Sequence, residues 1–166
     1  MIKAVNLKKV YKLGGDTVNA LNGVSIQIEK GEMVAITGTS GSGKSTLMHI
    51  IGGLDTPHKG EIVVNNINLS KAGRAKLARY RNKAIGFVFQ TFNLEPQLTT
   101  LENVELPLIF SNIKRKKRRE LAMDAIKKVG LEDRTNHKPS ELSGGQRNRV
   151  SISRAIVTSP NIILAD

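Results

Sequence analysis

The eight residues Gly38-Thr39-Ser40-Gly41-Ser42-Gly43-Lys44-Ser45 fit the spacing G-x-x-x-x-G-K-[ST] at every position. Glycines so spaced let a backbone curl and turn its N–H groups inward as a nest for closely set anionic oxygens. A helix opening at Lys44 would aim its positive end at the same charge. Lys44 supplies a mobile cation for β and γ phosphates. Ser45 supplies a hydroxyl for Mg²⁺, and Thr46 another near the α phosphate. The chemistry these types point to is capture of a nucleoside triphosphate with its magnesium. The plain alternative is a chance match in a glycine-rich turn. Its context argues otherwise, because a compact apolar run, Met33–Thr37, precedes the loop and a helical pattern follows it to about Gly52. The loop does not choose between ATP and GTP, or between a switch, a kinase and a motor.

A second constellation, Leu142-Ser143-Gly144-Gly145-Gln146, lies on a loop from Pro139 to Gly145 that opens a helix reaching about Thr158. Ser143, Gly144 and Gly145 again offer a hydroxyl and unobstructed N–H groups at a helix start. One nucleotide needs one such cradle, so the second suggests a surface that meets a phosphate held by another copy. The plain alternative is a glycine cap and turn between helices.

The elements that must position these loops read as follows. Met1–Leu13 is a strand punctuated by Ile2, Val5, Leu7 and Val10. Gly14–Asp16 turns the chain, and Val24–Ile28 alternates with period two. Met33–Thr37 suits a strand covered on both faces. Glu61–Val64 and Ile85–Gln90 are further strands, and Arg74–Lys83 is helical. The pattern is helical from Thr100 to Gly130, with a break expected near Pro107 and a second helix over Arg115–Val129. Ile162–Ala165 is a last buried strand ending at Asp166. The strands thus sit at both ends of the chain, with the helices clustered between residues 91 and 158.

At this point the sequence resembles the ATP-binding-cassette (ABC) ATPases along its whole length. Gly38–Ser45 is the phosphate loop, Leu142–Gln146 is similar to the family signature, and Ile162–Asp166 to the Walker B strand. Gln90, closing Ile85–Phe89, resembles the Q-loop glutamine, and Tyr11 lies where the family places an aromatic residue that stacks on adenine. Phe92–Leu98 and Leu101–Pro107 are most similar to the lipoprotein-release and macrolide-export subfamily. The resemblance implies an α/β fold: a P-loop NTPase (RecA-like) core with an N-terminal antiparallel β subdomain. It also implies one nucleotide-binding domain over 1–166, with core and β subdomain from 1–90 and 159–166 and a helical subdomain from 91–158. It further implies ATP held by Tyr11, Gly38–Thr46 and Gln90 of one copy and covered by residues 142–146 of a second. Mg²⁺ would be held by Ser45, Gln90 and Asp166. Lys44 and Gln90 would be catalytic. A transmembrane permease would be the partner, at the inner face of the cell membrane. Each role has a bland rival: Tyr11 covering a sheet edge, Gln90 as a loop amide, Asp166 as a structural cap. His49, His58 and His137 match none of the family's histidine positions.

In the family, the residue after the aspartate matched by Asp166 is the glutamate that polarises the attacking water. The D-loop and switch histidine come later. The chain therefore reads as the front two-thirds of a longer cassette. Such a piece is expected to bind ATP, to hydrolyse it poorly, and to expose sheet edges where further strands would pack.

Composition bounds these readings. The 166 residues suit one soluble domain with 39% hydrophobic and 24% charged residues. The absence of cysteine excludes disulfides and thiolate chemistry. No apolar run approaches the roughly 18 residues that a membrane span needs. The +12 net charge comes from two segments without acids, Lys71–Lys83 and Lys114–Arg119. These keep open a rival, a non-transport ABC ATPase acting on nucleic acid, although solvated helix faces explain them as well. Only 51 residues separate Gln90 from Leu142, which leaves no room for the long insertions such proteins carry. A small-molecule kinase would lack the second glycine loop.

Overall fold

The computed structural model describes all 166 residues, apart from the side chain of Leu13. Two compact units divide the chain, Met1–Arg79 and Tyr80–Asp166.

In the first unit, β1 (Ile2–Leu13) and β2 (Asp16–Ile28) form a long antiparallel hairpin around Gly14 and Gly15, both in the left-handed region. β3 (Lys59–Val64) pairs antiparallel with the other edge of β1, and β4 (Ile67–Asn68) follows, giving the order β2-β1-β3-β4. A bulge after Ala4, with Asn6 at φ 52, shifts the alternation of β1. Ile2 and Ala4 face inward before it, Leu7 and Lys9 after it, and Val5 is left exposed. α1 (Lys44–Ile51) buries Leu47, Met48, Ile50 and Ile51. α2 (Arg74–Ala84) runs across the division at Arg79 and carries most of the first basic segment, with mostly exposed side chains.

In the second unit, β5 (Ile85–Val88) and β6 (Ile162–Ala165) pair in parallel. Gly86 sits there because a Cβ would come within 2.3 Å of the Ala155 carbonyl. α3 (Thr100–Phe110), α4 (Arg115–Lys127) and α5 (Gly144–Ile156) close around a core that includes Leu101, Val104, Leu108, Ile126, Leu142 and Val150. Thr99 starts α3 through a capping box with Glu102. The second basic segment opens α4 and is exposed except for Arg118, which lies 3.9 Å from Glu105.

Three expectations are corrected. Met33–Thr37 is not a strand: a strand needs a ladder partner, none of the described strands pairs with it, and Met33 is fully exposed. Pro107 does not break its helix. α3 runs on to Phe110, and the Pro107 carbonyl accepts hydrogen bonds from the Asn82 amide at 2.9 Å and the Ser111 hydroxyl at 3.1 Å. β6 is only half covered, with Ile163 48% exposed.

Fully buried Asn103 staples the loop before α3. It accepts from the Glu95 N–H at 2.7 Å and donates to the Glu95 and Leu98 carbonyls at 3.1 and 3.0 Å. Asn103→Leu should keep the packing volume, strand those backbone groups and lower unfolding stability by about 3 kcal/mol in a denaturant titration. An unchanged midpoint would contradict this.

Candidate functional site

The phosphate loop is built by backbone conformations that only glycine adopts without strain. Gly38, Gly41 and Gly43 have φ of 153, 78 and 92. Gly43 is also a close-approach residue, since a Cβ there would come within 2.2 Å of the Ala20 carbonyl of β2. A Cβ on Gly41, by contrast, would enter open space. Gly43 caps α1, and its carbonyl accepts from the Leu47 N–H at 2.9 Å. Lys44 reaches back over the loop, with Nζ donating to the carbonyls of Gly38 and Thr39 at 2.9 and 2.7 Å. Thr39, Ser40 and Ser42 are exposed, and Ser45 is half-buried. The arrangement places a cation, a helix start and exposed loop backbone around one concave turn, which fits a polyphosphate.

Tyr11 of β1 stands in the same unit. Its hydroxyl donates to Asp55 Oδ2 at 2.7 Å. Burial first, then the bond to Asp55, raise its phenol above the ordinary range. Burial alone would raise the Asp55 carboxyl. Hydrogen bonds from Lys9, Tyr11 and the Thr56 N–H, with the Lys9 charge, outweigh it and hold that carboxyl below the usual range. The sequence reading missed Lys9 and Asp55: a bulge decides which face of β1 Lys9 takes, and Asp55 carries no motif.

In the second unit, Gln90 and Asp166 line one 470 Å³ concavity together with Val88, Phe92, Asn148 and Ile152. β5 and β6 bring them there by ending side by side, with Asp166 N–H donating to the Val88 carbonyl at 3.0 Å. The Gln90 loop carries two non-glycine residues in the left-handed region, Phe92 at φ 60 and Asn93 at φ 47, a conformation that costs energy unless its surroundings hold it. Arg154 of α5 holds it, donating from Nη1 to the Asn93 carbonyl at 2.5 Å and from Nη2 to the Phe92 carbonyl at 2.7 Å. Burial lowers the Arg154 pKa. Arg147 adds a guanidinium 5.8 Å from the Phe92 ring centre. No sequence pattern marked Arg154, because its partners are carbonyls.

Ser143 caps α5. Its Oγ accepts from the Gln146 N–H at 3.3 Å, and its own N–H donates to Gln146 Oε1 at 2.8 Å. Leu142 is buried in the helical core, whereas Ser143, Gly144 and Gly145 are exposed, and a Cβ on either glycine would meet nothing within 4 Å. The second glycine loop is therefore an open helix start anchored by one leucine. Ser45 of the first unit carries a hydroxyl oxygen, and Gln90 and Asp166 of the second carry amide and carboxylate oxygens, each of a kind that suits Mg²⁺. Among the described residues, no group of three or more His, Cys, Asp or Glu could hold a metal ion.

Gly43→Ala should weaken ATP binding more than about tenfold, because β2 must move before the loop can keep its shape. Gly41→Ala, strained only by its φ, should cost less. Equilibrium titration of both variants checks the order, and equal losses would count against the close-approach argument.

Residues 21–166 match the family described as ABC transporter. The chain is 51% identical over all its residues to the ABC transporter ATP-binding protein YvrO of Bacillus subtilis strain 168, spanning 72% of that protein. It is 50% identical to MJ0796 of Methanocaldococcus jannaschii, again over the whole chain and 72% of the relative. A dimeric post-hydrolysis structure of MJ0796 bound to ADP and Pi superposes with a TM-score of 0.93, at 49% identity, over all of this chain and 73% of that one. Two glycine loops of these shapes and whole-chain likeness to such cassettes lead to one conclusion: the chain belongs to the ABC transporter family of ATP-binding proteins.

Proposed function

We propose that this ABC-type ATPase energises a membrane transporter by ATP-driven head-to-tail pairing of two copies. The observation that carries the reading is the pair of exposed glycine loops, one at the start of α1 and one at the start of α5. MJ0796, which the chain resembles closely, forms a dimer bound to ADP and Pi. In this reading the Gly38–Thr46 backbone and Lys44 hold the triphosphate, Tyr11 stacks on adenine, and Ser143–Gln146 of the second copy close over the γ phosphate. Lys44 neutralises charge that develops on the transferring phosphoryl group. Gln90 orients water at the γ phosphate and senses the permease. Ser45, Gln90 and Asp166 would hold Mg²⁺, which when bound neutralises the β and γ oxygens. Residues 91–158 form the helical part of the cassette, and Leu94, Pro96 and Leu98 present a groove to a helix of the permease. The subfamily is that of lipoprotein release and macrolide export. No described helix is long and apolar enough to cross a membrane. In this reading the work is delivered to a permease at the inner membrane face.

The exposed basic residues of α2 and α4 keep one rival in view, an ABC ATPase acting on nucleic acid. A salt-dependent DNA and RNA titration tests the rival, and affinity that is absent even at low salt removes it.

Ser143→Arg should leave ATP binding to the monomer intact and abolish ATP-driven dimerisation, read by light scattering. Loss of both, or of neither, would overturn the trans role.

A further inference from the structure

A charge pair of one buried lysine and one half-buried aspartate lies against the ring that the proposed function gives to adenine. Lys9 is only 7% exposed, and a lysine is almost never so buried unless it is paired. Its Nζ donates to Asp55 Oδ1 at 2.5 Å and to the Thr56 carbonyl at 2.9 Å. The other carboxylate oxygen takes the Tyr11 hydroxyl at 2.7 Å. The same ammonium lies over the Tyr11 ring, 5.1 Å from its centre. One carboxylate thus fastens the phenol at its tip while the cation lies over the ring of a half-buried tyrosine.

The carboxylate is itself fixed. The Thr56 N–H donates to Asp55 Oδ1 at 2.7 Å, and the Asp55 N–H donates to the carbonyl of His49, in the last turn of α1. The first residue of that helix is Lys44 of the phosphate loop. Ring and nest are therefore tied to opposite ends of one helix, about 12 Å long.

Stability does not account for this pair. Replacing a buried ion pair by apolar side chains of similar volume is often neutral or stabilising, and Lys9 follows Leu7 on the core side of β1. An apolar residue at position 9 would fill the space but would not orient Asp55. Aromatic stacking depends on ring plane and offset, and a ring that must first be ordered by its ligand binds more weakly.

We propose that Lys9 and Asp55 are positioning residues for nucleobase binding, which hold the Tyr11 ring in a fixed pose relative to the phosphate loop. This rests on Tyr11 being the adenine platform.

The test compares ATP with inorganic triphosphate, each with Mg²⁺, on the intact chain. Asp55→Asn, Lys9→Met and Tyr11→Phe should each weaken ATP binding about fivefold to tenfold, the scale of one ordinary hydrogen bond. Each should change triphosphate binding less than about twofold. The Asp55→Asn/Tyr11→Phe double variant should be no worse than the poorer single, because both cut the same tether. Equal losses for both ligands would assign the pair to folding and overturn the inference. Tyr11→Ala separates the two layers. If it weakens ATP binding while Tyr11→Phe and Asp55→Asn do not, only the positioning role falls. If Tyr11→Ala leaves ATP affinity unchanged, the platform falls, and the inference with it.

Discussion

A short stretch of backbone must turn its N–H groups toward one concentrated negative charge, and the rest of the structure serves that constraint. Peptide groups point inward in succession only where the chain alternates into the left-handed region, which Gly38, Gly41 and Gly43 permit. Gly43 meets a second demand, because β2 passes so close that no side chain fits between. The hairpin therefore does more than cover a face. Its Ala20 carbonyl forms the wall against which the loop is seated.

In the proposed pairing, helix starts serve the same electrostatics twice, with different support. At α1 the loop is shaped by glycines and bridged by Lys44. At α5 the start is held by the reciprocal bonds of Ser143 and Gln146 and by Leu142 in the helical core, so Gly144 and Gly145 stay bare. Bareness has a physical meaning there: side chains at those positions would stand between the amides and any approaching phosphate. Arg154, on the same helix, grips the strained turn after Gln90, so the glutamine loop and the second glycine loop share one element.

Much of this was legible in the sequence, for reasons that differ by element. The phosphate loop and the 142–146 loop could be read because their function requires glycines at fixed spacing. The strands Ile85–Val88 and Ile162–Ala165 could be read because their apolar runs are short and sharply bounded. Met33–Thr37 misled because its run is just as apolar, yet a strand depends on a partner that no local pattern reports. Pro107 misled because a proline removes only its own N–H from the helical ladder, and α3 carries on for the three residues beyond it to Phe110. Lys9 was invisible because a bulge reverses the inward phase of β1, Asp55 because it carries no motif, and Asn103 because its partners are backbone groups of a neighbouring loop.

The central claim is that a nucleotide bound at residues 38–46 of one copy meets residues 142–146 of another. The chain contains no cysteine, so single cysteines can be placed without interference. Copies carrying Ser40→Cys, mixed with copies carrying Gly144→Cys, should be joined by a short bis-maleimide when ATP is present and left separate without it. Equal cross-linking with and without ATP, or none in either case, would contradict the account.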